Sequence, residues 1–175
     1  MPVPCRLGQP QSLDDVLLYR LSRLLATAGG MVIRMCEGSF GITRREWTLI
    51  ALLAREEELL SSELAQRAQL DRARTSRAIT SLVAKKLLRR RTRPADRRQA
   101  ALALTDSGRA LYQALYPLVQ DLNRELLAAL PATAVRGLDQ ALQALQERAV
   151  ALAGQAELPK ADRRRGRMLQ RVGGR

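Results

Sequence analysis

The sequence contains no histidine and only two cysteines, and these shortages exclude several kinds of site. Histidine is the commonest metal ligand and general base, so we expect neither a zinc site nor a histidine-dependent hydrolase. Cys5 and Cys36 are too few for a disulfide framework. Because the chain also shows no nucleophile–base pair and no cluster of metal ligands, we expect no enzyme activity, no metal and no cofactor.

Aromatic residues and long apolar runs are also scarce. Phe, Trp and Tyr make up 3% of the chain, which argues against binding of single-stranded nucleic acid by base stacking. No apolar run reaches about 18 residues, the length that spans a membrane, and residues 1–13 lack the apolar core of a signal peptide. We therefore expect a soluble, cytoplasmic protein.

Positive charge, by contrast, is abundant. The formal net charge of +13 over 175 residues favours a polyanionic partner, of which double-stranded DNA is the simplest. The excess is concentrated in residues 160–175, which contain seven basic residues and one acidic residue. We expect residues 155–175 to form a disordered basic tail, which is either a solvated terminus or a phosphate-binding arm.

The segment from Ser61 to Lys85 has the pattern of a helix–turn–helix. Ser61 opens a short amphipathic helix, Gln69 and Leu70 make the turn, and Asp71 is the predicted N-cap of a second helix that ends near Lys85. Helical spacing places four residues of the second helix on an inner face: Thr75, Ala78, Ile79 and Leu82. The opposite face is basic and hydroxylated, as a helix that reads the major groove requires. It comprises Arg77, Thr80, Ser81 and Ala84, flanked by Arg74 and Ser76.

A basic hairpin follows this reading helix. The pattern predicts a first strand at Leu87–Arg91, a tip at Thr92–Arg98 and a returning strand at Gln99–Leu104. Leu, Arg, Ala and Gln are poor strand formers, so the prediction depends on Pro94, which interrupts pairing at the tip. Thr105 is the predicted N-cap of a following helix that extends to about Leu130, with a kink expected at Pro117.

These segments, in this order, resemble the MarR family of bacterial transcription regulators. The matching stretches include Gly41-Ile42-Thr43, Glu63-Leu64-Ala65, Leu70-Asp71-Arg72-Ala73, Asp96-Arg97-Arg98 and Leu104-Thr105-Asp106-Ser107-Gly108-Arg109. The resemblance covers roughly residues 13–152. Two positions depart from the family pattern, because this chain has Lys86 where Gly is usual and Glu46 where Gln is frequent. A residue other than glycine at position 86 is expected to strain a left-handed helix cap or to shift the end of the helix.

The resemblance implies a mainly α fold, a winged helix–turn–helix with a small β wing and with dimerisation helices at both termini. It divides the chain into an arm (1–12), dimerisation helices (13–40 and 106–154), a DNA-binding domain (41–105) and the basic tail (155–175). The predicted DNA contacts in the reading helix are Arg72, Arg74, Ser76, Arg77, Thr80 and Ser81, and those in the wing are Arg93, Asp96, Arg97 and Arg98. The resemblance places Arg98 near the minor groove.

Two apolar seams agree with a homodimer. Leucine and other apolar residues recur every three or four positions between Leu13 and Met35, and again between Val135 and Leu152. Neither helix can bury such a seam alone. In the family, the terminal helices of two subunits interleave, and a small molecule binds between these dimerisation helices and the DNA-binding domains.

The ligand implied by the family is an aromatic or heteroaromatic carboxylic acid. The residues expected to hold it are Tyr19, Arg20, Arg23, Met31, Arg34, Met35 and Trp47, although Met31, Met35 and Trp47 also fit ordinary core positions. The sequence thus predicts a dimeric repressor that binds an inverted-repeat operator and is released by this ligand. It gives neither the operator, the regulated genes, the identity of the ligand nor the sign of regulation.

Three other functions are compatible with the sequence. The protein could be an oxidant-sensing regulator of the same fold that uses Cys5 or Cys36, although neither cysteine lies in a sequence typical of such sensors. It could instead be an architectural DNA-binding protein with little sequence preference, driven by its charge. The last is a winged-helix protein-interaction module without a role on DNA.

Overall fold

The computed structural model describes residues 6–93 and 96–155, and for residues 92, 93 and 96–100 it describes the backbone alone. The helices are α1 (Leu17–Arg34), α2 (Arg44–Ala54), α3 (Ser61–Arg67), α4 (Arg72–Ala84), α5 (Asp106–Leu127) and α6 (Ala132–Gln155). The strands are β1 (Leu59–Leu60), β2 (Leu88–Arg93) and β3 (Asp96–Leu104). A 3-10 turn, Leu13–Asp15, precedes α1, and a π-helical turn, Met35–Ser39, follows it. The predicted mainly α fold with a winged helix–turn–helix is confirmed.

The wing differs from its predicted boundaries. Its two strands form an antiparallel pair in which Leu88 lies opposite Leu104 and Arg93 opposite Asp96, so the tip is shorter than the predicted Thr92–Arg98. A third strand, β1, pairs with the other edge of β3, with Leu59 opposite Leu102. This edge pairing gives β3 a neighbour on each side, and the tertiary hydrogen bonds outweigh the weak strand propensity of its residues.

The chain divides into two compact units, one up to Glu125 and the other from Leu126 onward. In the first unit, α2, α3, α4 and the sheet enclose an aliphatic core. Its largest fully buried side chains include Leu49, Ile50, Leu53, Leu64, Leu82 and Leu115. This core fixes the reading helix and the wing to one scaffold.

The second unit contains α6, which buries none of its residues. Along its predicted seam, Leu138, Leu142, Leu145 and Leu152 are all exposed. Leu18, Leu24 and Leu25 of α1, in the first unit, are also exposed. Each helix therefore carries apolar surface that a single chain leaves in solvent.

The ends of α4 and α5 follow the predicted capping pattern. Asp71 accepts a hydrogen bond from the Arg74 amide at 2.8 Å, and the Thr105 hydroxyl accepts one from the Gly108 amide at 3.0 Å. Helix α5 then continues through Pro117, whose missing N–H removes the bond that the Gln113 carbonyl would accept. The kink at Pro117 stays a prediction.

Lys86 has a left-handed backbone, with φ of 59°. The helix–turn–helix turn also uses this region, at Gln69 with φ of 51°. At Lys86 the main chain reverses between α4 and β2, and the Leu87 amide returns to the Leu82 carbonyl at 2.9 Å. The strained cap expected from the missing glycine is therefore present.

Three parts of the chain for which the sequence makes predictions lie outside the described residues. These are Cys5, the basic tail from residue 156 onward, and the side chains of Arg93, Asp96, Arg97 and Arg98. None of the described helices is long and apolar enough to cross a bilayer.

Candidate nucleic-acid interface

An open groove of about 620 Å³ lies between the helix–turn–helix and the wing. Its walls are Leu60, Ser61, Ser62 and Ala65 around the start of α3, Arg72, Thr75, Ser76 and Ile79 of α4, and Arg90 and Leu102 of the sheet. The lining thus combines hydroxyl and guanidinium groups with apolar side chains. Guanidinium and hydroxyl donors are the groups that contact phosphates and base edges in DNA-binding proteins.

The reading helix α4 has the two faces that its sequence predicts. Thr75, Ala78, Ile79 and Leu82 are buried against the core. On the outer face Arg72, Arg77, Thr80 and Ala84 are exposed, whereas Ser81 is partly exposed. The burial prediction for this helix is confirmed at all four positions.

The six predicted contacts on α4 differ in their surroundings. Arg72 and Ser76 line the groove. Arg74 forms an ion pair with Asp71 at 3.1 Å, and Arg77 is exposed, its Nε 3.4 Å from the Ala73 carbonyl. Thr80 is exposed as well.

Ser81, the sixth predicted contact, is only partly exposed, and its hydroxyl hydrogen-bonds the buried carboxylate of Glu46. Its role as a DNA contact stays a prediction. The structure assigns that hydroxyl a partner within the protein, which helical spacing alone could not indicate.

The sequence interpretation overlooked three polar residues of the groove, Ser61, Ser62 and Arg90. Arg90 lies opposite Leu102 in the antiparallel ladder, and the two share the face of the sheet that turns toward the helices. Strand alternation from buried Leu88 would have placed Arg90 there. Its neighbour Arg91, on the other face, pairs with Glu58 at 3.1 Å.

The predicted ligand residues have mixed environments. Trp47 is buried in the core and stacks on Tyr112, with ring centroids 5.7 Å apart, and Tyr112 in turn stacks on Tyr116 at 5.0 Å. Arg23 pairs with Asp14, exposed to solvent. Arg20, Met31 and Arg34 are exposed, whereas Tyr19 and Met35 are half-buried.

A second cleft, of about 460 Å³, lies elsewhere on the first unit. It is lined by Ile33, Glu37, Thr43, Arg44, Arg45, Thr48, Ala68 and Leu70. It therefore joins the end of α1, the start of α2 and the turn between α3 and α4. None of the seven predicted ligand residues lines it.

Cys36 is fully buried in the π-helical turn after α1. Burial, reinforced by the nearby carboxylate of Glu37, raises the pKa of its thiol. Because the thiolate is the reactive form, Cys36 is chemically protected in this structure. This geometry disfavours Cys36 as an oxidant sensor.

The helix–turn–helix, the three-stranded sheet and the basic groove between them define a winged helix–turn–helix protein. Residues 40–99 match the sequence model of the MarR family. This match, over about a third of the chain, agrees with the resemblance to the MarR family that the sequence indicated.

One relative and two solved structures illustrate the similarity. An uncharacterized HTH-type transcriptional regulator, YdgJ of Bacillus subtilis, is 29% identical over 92 residues, which are 53% of this chain. The matched region spans 56% of the length of that relative. A MarR/EmrR family transcriptional regulator from Acinetobacter sp. ADP1 superposes with a TM-score of 0.74 at 21% identity, covering 80% of this chain and 99% of that one.

The second structure concerns the regulation of DNA binding by 6-hydroxynicotinic acid in BpsR of Bordetella bronchiseptica. It matches with a TM-score of 0.61 at 21% identity, over 73% of this chain and 98% of that one. At this level of identity, both structures establish the shared fold.

Proposed function

We propose that this protein is a DNA-binding transcription regulator that represses by binding duplex DNA. The observation that carries the proposal is the groove lined by Arg72, Ser76 and Arg90, together with the exposed residues Arg77 and Thr80 of α4. The net charge of +13 supplies the sequence-independent attraction to phosphates. The outer face of α4 supplies the donors that distinguish one base pair from another.

We propose further that it acts as a homodimer. The exposed seams of α1 and α6 are surfaces that a second copy would cover. Two-fold symmetry would then present two reading helices to inverted half-sites about 10 base pairs apart, on successive turns of one face of the duplex. One subunit on one half-site would bind far more weakly than a dimer on both half-sites.

Arg77→Ala should weaken binding to a preferred sequence more than binding to a scrambled duplex. Arg77 is exposed on the outer face of α4, where a guanidinium in contact with a base edge contributes about 1–3 kcal/mol of discrimination. Fluorescence anisotropy with both duplexes measures the two losses. The matched control is Arg124→Ala, which removes the same charge from an exposed position of α5 and should affect both duplexes little. Equal losses on both duplexes for Arg77→Ala would show that this residue contacts phosphate alone.

We also propose that a small aromatic or heteroaromatic carboxylic acid releases the DNA. The cleft beside α2 offers two exposed arginines, Arg44 and Arg45, to a carboxylate and offers Ile33 and Leu70 to a ring. Its wall at Leu70 belongs to the turn that leads into the reading helix. BpsR, which shares the fold, is regulated by an acid of this type. A ligand bound here would shift the population toward dimers whose reading helices no longer match the half-sites.

Arg45→Ala should lower affinity for 6-hydroxynicotinate by about tenfold or more, because an arginine–carboxylate hydrogen bond contributes about 1.5–3 kcal/mol. Binding is measured by calorimetry, and release of labelled duplex by anisotropy. Thermodynamic linkage requires the acid to bind the free protein more tightly than the DNA complex, by the factor that it lowers DNA affinity.

The informative comparison is Arg34→Ala, because Arg34 belongs to the ligand set predicted from the sequence. If Arg34→Ala abolishes binding and Arg45→Ala does not, the ligand lies among the sequence-predicted residues and not in this cleft. Failure of pyridine and hydroxybenzoate carboxylates to displace DNA would contradict the ligand proposal itself.

A further inference from the structure

The carboxylate of Glu46 joins three segments of the first unit. Its side chain is 3% exposed, and Oε2 accepts a hydrogen bond from the Thr43 amide at 2.6 Å. Lys85 Nζ approaches Oε2 and Oε1 at 2.9 and 3.1 Å and also donates to the Gly41 carbonyl at 2.8 Å. The hydroxyl of Ser81 provides a further hydrogen bond to the carboxylate. The start of α2, the loop before it and the last turn of α4 therefore meet at one charged group.

Glu46 stays ionised at neutral pH. Burial alone would raise the pKa of this carboxyl, but the hydrogen bonds from Ser81 and Thr43 and the ammonium of Lys85 together hold it below its ordinary value. The contact with Lys85 is consequently an ion pair, with one partner buried and the other partly open to solvent.

The same end of the reading helix is held from another element. Lys86, in its left-handed conformation, presents its carbonyl to the hydroxyl of Thr105, which donates to it at 2.7 Å. Thr105 is also the N-cap of α5. The C-terminal end of α4 is thus tied to α2 through Lys85 and to the start of α5 through Lys86.

The charged hydrogen bonds at the end of α4 restrict the position of the helix more closely than its apolar contacts do. Burial of Ala78, Ile79 and Leu82 keeps the helix on the core, but the hydrophobic effect is non-directional and tolerates small shifts along or about the helix axis. Charged hydrogen bonds have strict distances and angles. A buried ion pair is weak evidence for added stability, whereas in some proteins it fixes one arrangement among several.

We propose that Glu46 is a positioning residue for sequence readout, which acts through Lys85 to fix the placement of the reading helix without touching DNA. The inference rests on the proposed DNA-binding function. Base recognition needs side-chain donors placed to within a fraction of an ångström, whereas attraction to phosphates tolerates displacement. Loss of the ion pair should therefore reduce discrimination between sequences more than it reduces overall DNA affinity.

The test uses the full chain, a duplex that carries the motif selected by the wild-type protein from a random pool, and a scrambled duplex of the same composition. Glu46→Gln keeps the size of the side chain and an oxygen for the Thr43 amide but removes the charge that holds Lys85. We expect it to weaken binding to the motif by about tenfold and to leave scrambled-duplex affinity within about twofold. Urea unfolding of each variant measures the accompanying change in stability.

Glu63→Gln is the matched control. The Glu63 carboxylate likewise accepts from the amide three residues earlier, that of Leu60, at 2.8 Å, and it has no ion pair in the described structure. Because this substitution alters a helix-start contact of the same kind without an ion pair, it should leave the ratio of the two affinities unchanged.

A double-mutant cycle separates positioning from direct contact. If Glu46 acts through Lys85, the double variant Glu46→Gln/Lys85→Gln should lose no more motif affinity than the more affected single variant. Additive losses, together with weaker scrambled-duplex binding for Lys85→Gln, would show Lys85 at a phosphate and overturn the proposal. An unchanged affinity ratio for Glu46→Gln would also overturn it, while the proposed function would stand. A wild-type protein that binds no duplex would remove the proposed function and this inference together.

Discussion

Replacement of Gly108 by alanine should destabilise the first unit by about 3 kcal/mol, an effect near the upper end for overpacking. A Cβ at this position would lie 2.1 Å from the Leu87 carbonyl oxygen, a backbone atom that cannot rotate away. The start of α5 is held close to Leu87 because the Thr105 amide donates a hydrogen bond to the same Leu87 carbonyl at 3.1 Å. Either α5 moves off the wing or this bond is lost.

Urea denaturation of Gly108→Ala beside the wild-type protein measures this effect. Gly137→Ala is the control, since Gly137 lies within α6 and a Cβ there would meet nothing within 4 Å. Alanine at Gly137 should be neutral or stabilise by up to about 1 kcal/mol, because it restricts the unfolded chain and favours helix. A Gly108→Ala variant as stable as the wild type would refute the close contact between α5 and the wing.

Leu142→Glu should convert the protein to a monomer and lower affinity for a two-half-site duplex by about a hundredfold or more. Leu142 lies in the middle of the exposed seam of α6, where a carboxylate would be transferred from water into an apolar interface without a partner. Once the subunits separate, each half-site is bound independently and the gain from simultaneous binding is lost. Sedimentation velocity gives the oligomeric state, and anisotropy gives the DNA affinity.

Gln140→Glu is the control for charge. Gln140 is exposed and lies on the side of α6 opposite the seam, so the same added carboxylate should leave the dimer and its DNA affinity almost unchanged. A Leu142→Glu variant that still sediments as a dimer would show that the seam of α6 is not the subunit interface.

Local sequence rules were sufficient for the reading helix. The inner face of α4 was predictable from helical periodicity because its four buried residues recur every three or four positions on one side of the helix. The capping roles of Asp71 and Thr105 were predictable because a side-chain oxygen that accepts an amide within the next turn needs no distant partner.

Long-range pairing was beyond those rules. Strand β1, with two residues, is too short to show an alternation of apolar and polar side chains. It nevertheless extends the sheet and helps to define the groove that contains Arg90. Similarly, the partner of Glu46 lies 39 positions away at Lys85, and no local pattern links the two. No local pattern predicts the stack of Trp47 on Tyr112 either, since it depends on how α2 packs against α5.

Selection of bound sequences by the purified full chain from a pool of random duplex DNA tests most directly whether the protein reads DNA sequence as a dimer. We expect enrichment of one two-fold symmetric motif with half-sites about 10 base pairs apart, bound by a dimer. Retention of DNA without enrichment of any sequence would contradict this expectation, and would identify instead a sequence-tolerant DNA-binding protein driven by positive charge.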